Sequence, residues 1–424
     1  MNAPNPTTVE WAAVAAHRFG LGEASLQRVG SDPRGWLRAQ IGPAETQRGA
    51  DLPGTAEAVR TQAEVVSERR AQRERLATAV APDAMSSTTG PSAVAVRREQ
   101  ADHLRQAVQA DLRARLTTAA LSTAPFNERL ALFWSNHFTV SMAKASVRGL
   151  VGAFEREAIR PHIAGSFQTL LKAAVTHPAM LRYLDNQASA GPDSPIVQRL
   201  ARRAARLPAD DPMQRRPRVS GLNENLAREV LELHTLGAAE HAYNQADVTA
   251  FAAVLTGWRY EPGSDRGTVF DPAWHEPGPK RLLGRSYPEG PEALDEVLHD
   301  LSRHPATARF IAIKLARHIV ADDPPPALVA RLADRFSRTD GDLAAVYGEL
   351  IDAPEAWALP PQKLKTPEEF VISAMRLLQI DEAGAKRLLA RAPDGGSGQL
   401  GQRVQAAASP AGWPDRAEEW LGPD

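Results

Sequence analysis

The segment 221–237, with the sequence GLNENLAREVLELHTLG, limits what this chain can fold into more than any other. It carries the start and stop signals of a helix, since Asn223 is a good N-cap and Gly237 a common terminator. A step of about 100° per residue separates its apolar side chains from its polar ones. The segment therefore predicts a helix packed on a core through Leu226, Val230, Leu231 and Leu233, with a dense polar face of Glu224, Asn225, Arg228, Glu229 and Glu232.

This polar face supports two interpretations. Asn225, Glu229 and Glu232 are candidate catalytic residues, because carboxylates three residues apart on a helix can share a proton or a metal ion. Alternatively, Glu224, Arg228 and Glu232 follow one another at helical spacing and form an ordinary ladder of ion pairs. Both arrangements perturb carboxylate pKa values, so the pattern leaves the two interpretations open.

Two histidines on apolar helix faces raise the question of a metal site. His234 lies about 200° from Glu232 around an ideal helix and points among apolar neighbours, which favours a buried, hydrogen-bonded role in the core. His137 lies on the apolar face of a predicted helix at 127–140, which also favours packing. If the two imidazoles meet across a helix interface, they would form a Zn²⁺ or Fe²⁺ site with one carboxylate, for which Glu229 is the candidate. A divalent metal is the one cofactor that the sequence suggests.

Two loop segments supply further candidates. Asp185 stands where a helix gives way to a long loop rich in Pro, Gly and Ser, which could act as a lid beside the central helix. Its carboxylate could join the site there, or it could serve simple turn chemistry. His275 falls with Glu276 in a loop flanked by Pro and Gly, where an exposed pair of this kind suggests catalysis. Lys280 close by could bind a phosphate or a carboxylate.

Composition and missing motifs exclude several classes of function. The 424 residues carry a formal net charge of −1, which gives no general attraction to nucleic acid, and the lack of cysteine excludes disulfides and thiolate chemistry. The chain has no phosphate-binding glycine loop, nucleophile elbow, zinc-protease motif or dinucleotide fingerprint. No apolar run is long enough to span a bilayer, and the first residues do not look like a signal peptide, so a soluble, cytoplasmic protein is expected.

The predicted architecture is mainly α: a large multi-helix body with a projecting helical hairpin and one small β-hairpin insert. Two long segments free of proline predict the arms of the hairpin, whose arginines either contact an acidic partner protein or form a solvated face. Short aromatic pieces between Pro and Gly predict a β-hairpin or a pair of short strands. The expected divisions are short N-terminal helices at 1–54, the charged hairpin at 55–122, the core at 123–380 with its insert at 259–290, and a C-terminal tail at 381–424.

Several blocks of the sequence resemble a known family. The segment 223–237 is similar to the signature of the bacterial domain-of-unknown-function family 1800. Further blocks match in the family's order and cover most of the chain: 17–20, 133–138, 185–186, 243–248, 255–258, 275–284, 305–318 and 363–367. The resemblance implies nothing specific about activity, because none is established for that family.

Two function hypotheses follow from the sequence. The first is an enzyme, a hydrolase or a transferase, that uses the Asn225, Glu229 and Glu232 face together with His or Asp side chains, with or without a divalent metal. The second is a non-catalytic helical scaffold or assembly partner. The second hypothesis predicts that the carboxylates of the central helix are all paired with cations such as Arg228 and that no open pocket lies beside them.

Overall fold

The structure is a computed structural model that describes residues 7–50, 52–61, 64, 93–206, 221–238, 242–261, 264, 267–358 and 360–422. Within these residues the protein is mainly α-helical, as predicted, and its strands form two separate antiparallel pairs. No helix in this part of the chain is both long and apolar enough to cross a membrane.

The helices follow one another in the order α1 (Thr8–Val14), α2 (Pro33–Arg38), α3 (Ala93–Leu121), α4 (Pro125–His137), α5 (Val151–Phe154), α6 (Phe167–Thr176), α7 (Pro178–Tyr183), α8 (Pro195–Ala204), α9 (Asn225–Glu229), α10 (Gln245–Leu255), α11 (Glu292–Arg303), α12 (Pro305–Ile319), α13 (Pro326–Arg338), α14 (Leu343–Asp352), α15 (Pro367–Leu377) and α16 (Glu382–Arg391). The strands, all between α10 and α11, are β1 (Trp258–Tyr260), β2 (Thr268–Phe270), β3 (Lys280–Leu282) and β4 (Arg285–Tyr287). Three helices continue into wider π-helical turns: Ala15–Phe19 after α1, Glu155–Ile159 after α5 and Val230–Thr235 after α9.

The central helix forms as the sequence predicts, with one difference in its second half. The Asn223 side chain accepts a hydrogen bond from the backbone N–H of Asn225 at 3.0 Å, and the N-cap position itself is the next residue, Glu224. The apolar side is buried, apart from the half-buried Leu233. After α9 the chain widens into the π turn, in which Leu236 donates to the carbonyl five residues earlier. The helix ends at Gly237, whose φ of +73° favours glycine.

The predicted hairpin at 55–122 is described in part. Its second arm is the long helix α3, and residues 55–61 of its first arm are also helical, whereas its tip lies outside the described residues. The C-terminal half of α3 does not project. Leu112 and Leu116 are buried there against the end of the chain, and Asp111 and Arg115 are buried as well. This half of α3 is therefore part of the core.

The predicted β insert consists of two small antiparallel pairs. Strand β1 pairs with β2, so that Trp258 lies opposite Phe270, and β3 pairs with β4, so that Lys280 lies opposite Tyr287. The insert follows α10, which starts with a capping box between Asn244 and Asp247. The structure thus confirms short strands in this region.

A network of buried ion pairs ties distant parts of the chain together. Arg115 on α3 forms ion pairs with Glu155 and with Glu368, the latter at 2.6 Å from Nε. Arg160 pairs with Glu128 on α4 at 2.5 Å. All five side chains are almost completely buried. Since a buried charge is tolerated only when it is paired and hydrogen-bonded, these pairs fix how the helices meet.

A second buried network holds the C-terminal segment against the body. Arg129 pairs with Glu369 at 2.6 Å, and His318 contacts Asp415 at 3.0 Å. Lys363 bridges Asp415 and Asp322. The part of the predicted tail around residue 415 is therefore packed into the core of the protein.

Candidate functional site

The polar face of the central helix carries two half-buried carboxylates without a basic partner. Arg228 donates to Glu224 at 3.1 Å and to Gln245 at 3.0 Å, so its hydrogen bonds are directed to the start of the helix. In the described part of the chain neither Glu229 nor Glu232 forms an ion pair. The ion-pair ladder that the sequence allows therefore forms between Glu224 and Arg228 but does not extend to Glu232.

Glu229 is an acid in a poorly solvated position. Burial and the neighbouring charge of Glu232 raise the pKa of Glu229. The Tyr243 hydroxyl donates to Glu232 at 3.5 Å, and burial together with Glu229 raises the pKa of Tyr183 to about 12. A carboxyl with a raised pKa beside tyrosine hydroxyls has the components of general acid–base catalysis.

Asn225 and Asp185, the other polar candidates near this helix, are engaged locally. The Asn225 side chain is exposed, and the backbone N–H of Asn225 donates to the Asn223 side chain at the start of the helix. The Asp185 carboxylate forms an ion pair with Lys144 at 2.7 Å. It is the backbone oxygen of Asp185 that faces the start of the central helix, where it accepts from the Asn223 amide at 3.4 Å.

His275 is buried rather than exposed, which corrects the expectation of an open loop pair. Only 4% of His275 is accessible. Its Nδ1 donates to the carbonyl of Thr256 at 2.8 Å, so Nε2 is the acceptor for Lys280 at 2.9 Å. Burial lowers the pKa of both His275 and Lys280. The imidazole and the amine therefore hold the β insert to the end of α10.

The two core histidines do meet across a helix interface. The ring centroids of His137 and His234 lie 6.0 Å apart, and the His137 Nε2 donates to the backbone oxygen of His234 at 3.1 Å. Both rings are buried, as expected, but neither ring nitrogen of His234 has a hydrogen-bond partner among the described residues. Its expected hydrogen bond is therefore absent from this part of the structure.

The surroundings of these two rings are cationic rather than acidic. Burial, and to a smaller extent the ammonium of Lys314, lower the pKa of His234 to about 3. The same two causes, in the same order, lower the pKa of His137. Among the residues that the structure describes, no group of three or more His, Asp or Glu side chains is placed to hold a metal ion. Glu229 is thus not brought to the two histidines as a third ligand.

A large cleft, which sequence reasoning did not identify, lies between α1 and α15. Its volume is about 910 Å³, the size of a small-molecule site. The outer wall is apolar, and Phe370 and Leu377 on α15 are 58% and 47% exposed there. We call it the basic cleft because it is lined by five basic side chains: His17, Arg18, Arg129, Lys363 and Lys365.

Two local motifs form the walls of the basic cleft. On one side, a capping box between Thr7 and Glu10 starts α1, and the π turn that follows carries His17 and Arg18. Such a turn inserts an extra residue into a helix and is frequent at functional sites. On the other side, a capping box at Thr366 starts α15 directly after the segment that carries the two lysines.

Arg18 is a buried cation without a counter-ion. It is 7% exposed, and its Nη1 donates to the backbone oxygen of Ala356 at 2.8 Å. Its Nε has no hydrogen-bond partner, and no carboxylate in the described part of the chain pairs with its guanidinium. Burying an unpaired charge is costly, and a guanidinium fits a carboxylate or phosphate group well. An anion in the cleft would offset this cost.

Lys365 is the second basic side chain of the cleft that lacks an ion pair. Arg129 and Lys363 are neutralised by the carboxylates of the C-terminal network. The Lys365 amine donates instead to the Ser373 hydroxyl at 2.7 Å, and no ion pair to it occurs among the described residues. The pKa of His17 is lowered by burial and by the charge of Lys365. Glu10, which also lines the cleft, bonds to Thr7 at the start of α1, so Arg18 and Lys365 are the cations of the basic cleft that lack an ion pair among the described residues.

The sequence contained a signal for this cleft. The blocks 17–20 and 363–367 both belong to the pattern that resembles a known family, and the segment 358–366 holds two lysines with no acidic residue. Because the two blocks are far apart in the sequence, nothing local indicates that they meet. Residues of both blocks line the same cleft only once the chain has folded.

No curated protein and no solved structure matches this chain. A family model described as "Protein of unknown function (DUF1800)" matches residues 14–424, which is nearly the whole chain. The chain therefore belongs to the DUF1800 family.

Proposed function

We propose that this protein binds a small organic anion with an apolar body in the basic cleft. The anionic group, a carboxylate or a phosphate, lies against Arg18, and the apolar body lies along Leu364, Phe370 and Leu377. The observation that carries the proposal is the Arg18 guanidinium, which is 7% exposed, unpaired by any carboxylate of the described residues and part of the cleft wall.

The chemistry of the cleft fits such a ligand at both ends. A guanidinium donates parallel hydrogen bonds to two oxygens of one anion, which gives affinity and orientation together. The exposed side chains of α15 present apolar surface next to it, and such surface in a concave site favours a ligand over water. Lys365 adds a second positive group to the same cleft.

The proposal is tested by calorimetric titration with a series of alkanoates from hexanoate to dodecanoate and with the matching alcohols. Each added methylene should tighten binding about fourfold, or about 0.8 kcal/mol, until the cleft is filled. The alcohols should bind more weakly, because they cannot neutralise Arg18. Equal affinity for acids and alcohols, or no binding by any member of the series and by the corresponding alkyl phosphates, would refute the proposal.

Two variants and one control locate the binding. Arg18→Gln should weaken the binding of octanoate by about 1.5–3 kcal/mol, roughly 10- to 150-fold, as expected for a hydrogen bond to a charged group. Phe370→Ser changes an exposed side chain and should weaken the longer ligands most. Arg285→Gln removes an exposed arginine that is already paired with Asp300 at 2.6 Å, so it should leave binding unchanged.

A second candidate function, general acid–base catalysis at the central helix, is favoured by the raised pKa of Glu229 beside Glu232. In this proposal Glu229 exchanges a proton with substrate, and the Tyr243 hydroxyl donates to the neighbouring Glu232. A hydrolase or a transferase would use such a pair. The exposed Asn225 side chain and Asp185, which is paired with Lys144, would contribute at most to substrate positioning.

The catalytic proposal is tested with a panel of ester, phosphoester and glycoside substrates and the Glu229→Gln variant. An activity of the protein that falls by two or more orders of magnitude in this variant supports the proposal. Glu224→Gln is the matched control, since Glu224 is the carboxylate that Arg228 already neutralises. An activity that both variants retain would assign catalysis elsewhere. A scaffold without any site is opposed by the open basic cleft.

A further inference from the structure

Lys365 occupies an unusual position for a lysine. Its amine lies in the wall of the basic cleft and donates to the Ser373 hydroxyl at 2.7 Å. No carboxylate of the described residues is within ion-pairing distance of it. Most lysines extend their ammonium group into water or pair it with an acid. Lys365 does neither, although the cleft beside it is large enough to admit a ligand.

The charged groups around Lys365 are mostly of its own sign. Arg129 and Arg376 repel an ammonium at this position, Glu369 attracts it, and His17 lies within electrostatic reach on the opposite wall. Burial is the main cause, and with these charges it lowers the pKa of Lys365 to about 7. Near neutral pH, about half of the Lys365 side chains therefore carry a free amine with a lone pair.

We propose that Lys365 is an amine nucleophile that forms an imine with an aldehyde or ketone carrying an anionic group. A lysine that is desolvated in an apolar pocket beside other cations is the usual form of such a nucleophile. This inference rests on the proposed function, since Arg18 would hold the anionic group while the carbonyl carbon reaches Lys365. It also narrows the ligand class from organic anions to those with a reactive carbonyl.

The reaction balances with the groups present. The amine lone pair attacks the carbonyl carbon, and the proton lost from nitrogen passes to the carbonyl oxygen to give a carbinolamine. The nitrogen lone pair then forms the C=N bond as the C–O bond breaks, and the second N–H proton passes to the leaving hydroxyl group, which departs as water. The Ser373 hydroxyl, already in contact with the amine, is placed to transfer these protons. No oxidant or reductant is needed.

The test is reductive trapping at about pH 7 with para-carboxybenzaldehyde and sodium cyanoborohydride, followed by peptide mass spectrometry. An exposed lysine with a pKa near 10.4 is deprotonated to roughly one part in 2,500 at this pH, against about one half for Lys365. This difference of about 1,000-fold in free amine is partly offset because a less basic amine is a weaker nucleophile, so labelling at Lys365 should be on the order of 100-fold faster than at the exposed Lys386. Labelling spread equally over the lysines would overturn the inference.

Matched variants show whether the fast labelling occurs at Lys365 or at another residue. Lys365→Arg keeps the positive charge and should abolish the fast labelling, whereas Lys386→Arg should not change it. Arg18→Gln should slow labelling by para-carboxybenzaldehyde but not by the neutral para-methylbenzaldehyde. Ser373→Ala, which keeps the cleft, should lower the rate of labelling without preventing it. Fast labelling that survives Lys365→Arg would assign the nucleophile to another residue.

A parallel titration with benzoate separates this inference from the proposed function. Binding of benzoate without fast labelling at Lys365 would leave the anion site intact and refute the imine. Fast labelling by both aldehydes, with no binding of benzoate or of the alkanoates, would keep the nucleophile and refute the anion site.

Discussion

His234 is the residue whose replacement should change the acid stability of the protein most cleanly. It is completely buried, its ring packs against His137 and Phe138, and neither ring nitrogen has a hydrogen-bond partner among the described residues. His234→Leu removes two unsatisfied polar atoms and keeps an apolar side chain in place. The hydrogen bond from His137 is retained, because its acceptor is the backbone oxygen at 234. At pH 7.5 the variant should be about as stable as the natural protein, or more stable.

The size of the effect follows from the pKa of His234. Burial lowers this pKa to about 3, whereas the same side chain in the unfolded chain titrates near 6.5. As pH falls below 6.5, the unfolded state takes up a proton that the folded state refuses, and folding loses about 1.4 kcal/mol per pH unit. His234 thus leaves the free energy of unfolding unchanged above pH 6.5 and lowers it progressively as the pH falls from 6.5 to 3. By pH 5 the loss is about 2 kcal/mol.

Urea unfolding followed by tryptophan fluorescence at pH 7.5, 6 and 5 measures this quantity. The free energy of unfolding of the variant, relative to the natural protein, should rise by about 2 kcal/mol between pH 7.5 and pH 5. His103→Leu, which changes an exposed histidine, serves as the control and should follow the natural protein. Other buried histidines, such as His177, make both proteins less stable in acid, so the comparison depends on the difference alone.

Parallel pH dependence of the natural protein and His234→Leu would refute this reasoning. It would mean that the His234 ring is stabilised in its charged form or bound to another group. A chelator provides the complementary measurement at pH 7.5. If a chelator lowered the stability of the natural protein but not that of His234→Leu, the two histidines would hold a metal ion after all.

Three further perturbations act through different forces. Arg115→Met leaves the buried Glu368 without its ion-pair partner and Glu155 with only the longer contact to Arg160, and should lower the free energy of unfolding by about 3–5 kcal/mol in urea titration. Lys365→Met removes an amine whose pKa is lowered to about 7. The free-energy cost of keeping this amine in the folded protein is complete below pH 7 and vanishes as the pH rises towards 10.4. The gain in stability of this variant should therefore be larger at pH 7 than at pH 10, by on the order of 2 kcal/mol once partial exposure is allowed for. Gly412→Ala places a Cβ 2.5 Å from the backbone oxygen of Asn136 at a residue with a φ of +83°. It should lower the free energy of unfolding by about 1–3 kcal/mol and speed hydrogen exchange in the C-terminal segment.

The helices could be predicted because their signals are local. The residues Thr366, Pro367 and Glu369 have the pattern of an N-cap, a first-turn Pro and a capping-box Glu, and they do form the capping box that starts α15. The helix α8 shows where this reasoning fails. Residues 195–204 fall within a segment whose composition predicts a loop, but Pro at the first position and an amphipathic pattern are enough for a helix.

The roles of charged residues could not be predicted in the same way, because pairing depends on distant segments. Arg18 and Arg115 both stand in helical segments near apolar residues. Arg115 pairs with Glu368, which is 253 positions away in the sequence, whereas the Arg18 guanidinium donates only to backbone oxygens. For the same reason, His275 resembles a loop residue in the sequence and is buried in the structure. Nothing in the local sequence separates these outcomes.

The two candidate sites differ in how their unpaired charge can be relieved. Glu229 can become neutral by taking up a proton, and its raised pKa shows that burial favours this. A half-buried glutamate is therefore stable without any ligand. The Arg18 guanidinium cannot lose its proton at any ordinary pH, so burial leaves it charged. Its charge is relieved only by an anion, and the basic cleft gives an anion access to it. The physical case for a bound ligand is therefore stronger at Arg18 than at the central helix.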